Sequence, residues 1–322
     1  MTTTGPGSMQ DIAGVSTVRP VGEPVQLTCS DGVILHGHFW PARQAPIASV
    51  IINAATGVVA GYYHYYADFL AREGFDVLTY DYRGIGLSRP STLKGCRYRW
   101  REWGEQDFDA ALHFMDARRP DLPLHVVGHS IGGYLPGLSP RAGRINRMLT
   151  MGAQYAYWRD YASRRRLRLF LKWHVTMPIL TAAFGYFPGK RLGWLENLPA
   201  GVANEWSFRG SRMEDTHPPA ERAEVLRRFK SVTSPILAVT MADDELGTEA
   251  AVGRTLGYYG SSERTQVLLS PKDYGFAAIG HFGLFHGRHR DGFWRDTIEW
   301  LRDGINPWPD KVLLPNPAGC RT

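Results

Sequence analysis

Apolar and polar positions along this chain repeat with two alternating periods, and that alternation predicts its architecture. Residues 25–28 and 33–40 alternate across the turn Ser30-Asp31-Gly32 and read as a hairpin. Residues 49–52 form a short, wholly apolar strand that runs into Asn53-Ala54-Ala55-Thr56-Gly57. Helical spacing follows over 63–73, then a strand over 75–80, a long helix over 100–118 and an aliphatic strand over 122–127. A further strand covers 148–151. From 155 to 230 the alternation stops, and the chain turns helical, aromatic and basic, with prolines at 178, 188 and 199. It resumes with a strand over 235–241, a helix near 249–259, a strand over 265–269 and a last helix near 291–303. Repeated strand–helix units require a mostly parallel central sheet with helices on both faces, an α/β architecture. The interruption then reads as an inserted helical cap. The expected organisation is a disordered leader over 1–21, a discontinuous core of 22–154 and 231–306, the cap over 155–230 and a C-terminal tail over 307–322.

One pentapeptide carries most of the chemistry. Gly128-His129-Ser130-Ile131-Gly132 follows the aliphatic strand and precedes Gly133-Tyr134-Leu135, which can open a helix. A G-x-S-x-G between strand and helix is a nucleophile elbow: the tight turn strains the serine and lifts its hydroxyl off the sheet edge. The same pentapeptide without that context usually marks only a glycine-rich turn. A serine hydroxyl near neutral pH needs a base, and the base needs a third group to orient it. Downstream, the strand over 235–241 ends in Ala242-Asp243-Asp244-Glu245, and Gly280-His281-Phe282 lies in a loop before the last helix. We read His281 as the base in preference to His286 or His289, and Asp244 as the acid in preference to Asp243, since strand residues alternate faces. The oxyanion then needs two backbone N–H groups, one from Ile131 and one from the loop 53–57, assigned to Ala55. Residues 281, 286 and 289 could also form a metal cluster, but their spacing matches no common site, so neither metal nor organic cofactor is implied.

The inserted segment sets the expected substrate. Arg164, Arg168 and Lys172 recur every four residues, with Leu167, Phe170, Leu171 and His174 on the other side, which predicts an amphipathic cap helix. Among its many aromatics, Tyr155, Trp158 and Trp173 are assigned to an apolar pocket above Ser130. The substrate partner is then a small molecule with an apolar acyl or alcohol part, and not a charged sugar or nucleotide. The net charge of +6 raises nucleic acid or a membrane surface as partners, but mild basicity is usually solvated surface. A lid resting on a membrane is the weaker reading, and no nucleic-acid partner is expected. No secretory signal pattern or stretch of about 18 apolar residues occurs, and three widely spaced cysteines suit a reducing compartment, so a cytoplasmic location is expected.

These motifs resemble the α/β-hydrolase superfamily over nearly all of the chain. The elbow, the loop Asp81-Tyr82-Arg83-Gly84-Ile85-Gly86-Leu87-Ser88, the segment from Pro235 to Asp244 and the Gly280-His281-Phe282 loop carry the similarity. The resemblance implies that the family's acid falls on Asp244. More narrowly, residues 53–57 and 186–193 look like a group of predicted bacterial hydrolases without an assigned substrate. The chain departs from the common pattern at Asn53-Ala54, where His-Gly is usual, at Met241, and at Pro136, which should kink or shorten the helix after the elbow. The expected function is hydrolysis of a carboxylic ester or thioester through an acyl-enzyme. An acyltransferase using the same triad and a catalytically silent binding protein on this scaffold are the alternatives.

Overall fold

The computed structural model describes residues 20–313, so most of the expected leader and the end of the tail, with Cys320, lie outside the described residues. Eight strands form one sheet: β1 (Glu23–Thr28), β2 (Ile34–Trp40), β3 (Ala48–Asn53), β4 (Phe75–Tyr80), β5 (Leu124–His129), β6 (Arg147–Met151), β7 (Ile236–Met241) and β8 (Arg264–Leu269). Their spatial order is β1-β2-β4-β3-β5-β6-β7-β8. The first hairpin is antiparallel, as is its junction to β4, and every later pairing is parallel. Strands β3, β4, β5 and β7 are buried at every position, which is why they read as mainly apolar runs without a polar face. The edge strands β1 and β8 alternate instead. Residues 312–313 reach back to the β8 edge, where Leu313 N–H donates to the Gln266 carbonyl.

Between the strands run α1 (His64–Arg72), α2 (Trp100–Glu102), α3 (Asp109–Arg118), α4 (Arg166–Phe170), α5 (Met177–Phe184), α6 (Ala200–Ser207), α7 (Arg222–Ser231), α8 (Glu249–Tyr258) and α9 (Arg295–Asp303). The long helix expected over 100–118 is present with a wide π segment, Trp103–Phe108, between α2 and α3. After the elbow the chain makes only short 3-10 turns, Ser130–Gly133, Leu135–Leu138 and Ala142–Arg144, and Pro136 offers no N–H to continue a helix.

The expected cap helix is present but rotated. A second π segment, Leu171–Thr176, joins α4 to α5, and the buried positions are Leu169, Trp173, Met177 and Thr181. Leu167 and Leu171, expected inside, are 72% and 48% exposed. Two residues turn a helix by about 200°, so Leu167 and Leu171 lie opposite the buried row that starts at Leu169, on the side of Arg164 and Arg168. Trp173 stacks on Trp206 of α6 at 4.5 Å, and Ser207 Oγ donates to the Trp173 carbonyl at 2.8 Å, so α4, α5 and α6 form one packed layer.

The loop after β4 is built around a buried ion pair. Arg83, 2% exposed in its side chain, donates through Nε to Asp107 Oδ1 at 2.6 Å and through Nη1 to Asp31 Oδ2 at 2.5 Å. Its backbone N–H meets the other Asp107 oxygen at 2.8 Å, and Trp103 Nε1 donates to its carbonyl. One guanidinium thereby ties the first hairpin, the loop and the long helix together. Removing one member of a buried pair strands the others as uncompensated charge. Arg83→Leu is therefore expected to cost about 3–5 kcal/mol of folding stability in denaturant titration, and a loss below about 1 kcal/mol would contradict this role.

Candidate active site

Ser130 sits at the carboxyl end of β5 with φ of 55°, one of two non-glycine residues with positive φ among those described. The turn holds because its neighbours are bare. A Cβ on Gly128 would stand 2.4 Å from the Gly133 Cα, and one on Gly132 would stand 2.3 Å from the Asn53 carbonyl oxygen. Larger residues at either place would push strand and turn apart.

The parallel register brings the other two residues to the same edge. Asp244 follows the end of β7, and its Oδ2 accepts from His281 Nδ1 at 2.7 Å. The other carboxylate oxygen accepts from the Leu246 and Gly247 N–H groups, each at 2.8 Å. Burial pushes the Asp244 carboxyl up, but the His281 charge, its hydrogen bond and the two backbone donors outweigh that and hold it below the usual range. Asp243 acts on the same loop by another route: its Oδ2 accepts from the Ile279 and Gly280 N–H groups at 2.8 and 3.0 Å. The two adjacent carboxylates thus divide their work, Asp244 on the imidazole and Asp243 on the backbone that carries it. Ser130 and His281 line one cavity, in which Gln154 Nε2 donates to Ser130 Oγ at 3.3 Å.

That cavity has a volume of about 460 Å³, within the range of small-molecule sites. Its floor is Ala55, Thr56, Ser130, Ile131 and Gln154, and its roof is Leu169, Lys172, Trp173, Trp194, Leu195 and Trp206. Of the three aromatics assigned to the substrate, only Trp173 lines it. Tyr155 is buried, donates to the Ser211 carbonyl and packs on Tyr134, while Trp158 packs on Phe170. Both follow β6 closely and are absorbed into the contact between the helical layer and the core. Trp194 and Trp206 reach the cavity because their segments fold back onto Trp173, at 5.7 and 4.5 Å between ring centres, and Lys172 joins them there, a long-range arrangement that no local pattern shows. The Lys172 ammonium lies 4.3 Å from the ring centres of both Trp173 and Trp194.

Ala55 also needs correction as an oxyanion donor. Its N–H is taken by Tyr63 Oη at 2.9 Å. Tyr63 Oη lies 2.8 Å from His129 Nδ1, and His129 Nε2 lies 2.9 Å from the His281 carbonyl. The direction of this chain is forced. An N–H only donates and a carbonyl only accepts, so the Tyr63 hydroxyl gives its proton to Nδ1 and His129 carries hydrogen on Nε2. Burial, with the His281 charge beside it, lowers the His129 pKa to about 3. Thr56, the next residue on the cavity floor, has an N–H that meets no acceptor among the described residues. Nothing in the local sequence could show that Tyr63, ten residues from Asn53, would reach back under the loop.

His286 and His289 stand apart from this arrangement, each bonded to Arg288. Among the described residues no group of three or more His, Cys, Asp or Glu is placed to hold a metal ion.

Three comparisons bear on this site. Residues 44–180 match the hydrolase family described as serine aminopeptidase, S33. Monoglyceride lipase of Saccharomyces cerevisiae is 24% identical over 106 residues, covering 32% of this chain, so the match spans about a third (34%) of that relative's length. A soluble variant of that lipase in complex with a substrate analog superposes with a TM-score of 0.61 at 15% identity, covering 89% of this chain and 96% of the other. The Pyrococcus furiosus esterase Pf2001 superposes with a TM-score of 0.54 at 15% identity, covering 87% and 92%. Eight strands in this order, a serine elbow on β5 and these superpositions define the α/β-hydrolase fold. Over residues 44–180 the chain is similar to a family of serine hydrolases.

The forced hydrogen-bond direction has a direct readout. In nitrogen-15 NMR, His129 is expected to show a neutral ring with hydrogen on Nε2 at pH 5; a ring that titrates near pH 6.5, or one carrying hydrogen on Nδ1, would contradict it. The unfolded chain takes up a proton at this residue near 6.5 and the folded chain only near 3, so His129 disfavours the folded state progressively as pH falls between those values.

Proposed function

We propose that the protein hydrolyses a carboxylic ester with a sizeable apolar part, through a triad of Ser130, His281 and Asp244. The observation that carries this reading is the 2.7 Å bond from His281 Nδ1 to Asp244 Oδ2, with that imidazole and the strained Ser130 on one cavity wall. With hydrogen fixed on Nδ1, Nε2 is free to take the Ser130 proton as Oγ attacks the acyl carbon. Asp244 then balances the imidazolium it faces. The Ile131 N–H lies in the first turn after the elbow, where helix geometry leaves donors unpaired, and would meet the oxyanion. Thr56 N–H takes the second position, since Ala55 is committed to Tyr63. His281 next protonates the leaving alcohol, and the acyl group stays on Ser130. Water, deprotonated by the same nitrogen, attacks the acyl-enzyme, and the acid leaves with Ser130 restored.

The roof of indoles and leucines supports an apolar acyl or alcohol group, in line with the lipase and esterase among the relatives. Tyr63 and His129 act as positioning residues. They brace the floor loop, the elbow and the backbone of His281 against each other, and touch no substrate. Cys29 and Cys96 are free thiols, which suits the cytoplasm as the working compartment.

Three measurements test the reading. On a panel of nitrophenyl esters, kcat/KM is expected to rise with acyl length until the cavity fills. Asp244→Asn is expected to lower kcat by about 10³–10⁴-fold, through loss of the imidazole tautomer, with KM little changed. Undiminished turnover in that variant would contradict the triad. Tyr63→Phe, which removes only a hydroxyl, is expected to lower kcat by about tenfold or more with a smaller change in KM. Unchanged kcat would contradict the positioning role.

A further inference from the structure

The outer face of the helical layer carries a surface that ester chemistry does not use. From residue 161 to 195 the chain has seven Lys and Arg and no Asp or Glu, more positive charge than the +6 of the whole protein. Within this segment, α4, the π segment and α5 run continuously from Arg166 to Phe184. Leu167, Leu171, Val175 and Ile179 stand four residues apart along it and are 72%, 48%, 36% and 63% exposed. Four residues overshoot a 3.6-residue turn, so such a row would normally drift around the helix. The wide turn over Leu171–Thr176 takes back that drift and keeps the row straight. The opposite row, through Leu169 and Trp173, faces the cavity above Ser130.

The charge beside the row is available. Arg164 and Arg168 are exposed and form no ion pair among the described residues, whereas Arg165 is held by Glu245 at 2.9 Å. Farther along, Phe184 is 39% exposed with Arg191 over its ring at 5.8 Å. An aliphatic row flanked by free arginines matches a partner that is apolar inside and negatively charged on top. A nucleic acid would use the arginines and leave the aliphatic row in water. No helix among the described residues is long and apolar enough to cross a membrane, so the fit is to a surface.

We propose that this face docks the protein onto an anionic lipid bilayer, with Leu167, Leu171, Val175 and Ile179 in the acyl boundary and Arg164 and Arg168 among the headgroups. An amphipathic helix lying in the interface buries its apolar side to a depth of about 5–10 Å, which this row can reach. The cytoplasmic leaflet supplies the matching negative potential. The docked helix is also the roof of the cavity, so apolar esters dissolved in the bilayer would meet the protein beside its own opening.

Vesicle flotation tests this without any substrate, so its failure would leave the ester reading intact, and the reverse holds too. The full chain is mixed with vesicles of phosphatidylcholine alone, or of phosphatidylcholine with about a third phosphatidylglycerol. At low salt the anionic vesicles are expected to bind at least about tenfold more protein, and roughly 0.5 M salt should remove most of that preference. The double variant Leu167→Glu/Ile179→Glu should lose binding by about tenfold or more while hydrolysing a short soluble ester as the wild type does. Equal binding to both vesicles would overturn the proposal, as would a double variant that still floats. So would sedimentation showing a dimer that the double variant splits, since the row would then cover a second copy of the chain.

Discussion

The site depends on one strained residue. Ser130 holds a left-handed backbone conformation that costs an ordinary side chain of order 1–3 kcal/mol, and it persists only because the surroundings over-determine it. Gly128 and Gly132 allow the turn to press against the β3 loop and the following turn. Gln154, from beyond β6, donates to the hydroxyl from the far side, and its own backbone N–H bonds to the Ser130 carbonyl. A relaxed serine here would drop its hydroxyl toward the sheet edge and out of the cavity.

The rest of the site is arranged to receive that hydroxyl. Parallel pairing along β5, β6, β7 and β8 aligns their carboxyl ends, and open sheets of this kind collect their chemistry there. Two adjacent aspartates fix the histidine loop, one by its ring and one by its backbone. The chain Ala55–Tyr63–His129–His281 joins the loop after β3 to the same histidine from below. It is buried and uncharged. A positive charge on His129 would face the His281 ring, and burial disfavours that charge.

Much of this was legible in the sequence, for a definable reason. Ser130 and Asp244 lie just beyond β5 and β7, and His281 lies in the loop after β8; the runs of buried aliphatics in these strands are short-range signals, and the strand order brings their ends together. The features that were not legible depend on long-range direction. Whether the Ala55 N–H faces the cavity or its back is decided by Tyr63, which belongs to the next element. Which aromatics face inward is decided by how the segments carrying Trp194 and Trp206 fold back onto Trp173, which no local periodicity announces, while Leu167 and Leu171 stay outside, opposite the row through Leu169 and Trp173. Pro136 gave the opposite case, where one residue's missing N–H foretold the short turns that follow the elbow.

The central claim is that a single serine, activated by its neighbours, is the nucleophile. Reaction of the full chain with a fluorophosphonate, followed by peptide mass spectrometry, tests it most directly. The account predicts one adduct per chain, on Ser130, absent from Ser130→Ala and strongly slowed in His281→Ala. A wild-type chain that stays unlabelled while folded, or an adduct on any other residue, would contradict it.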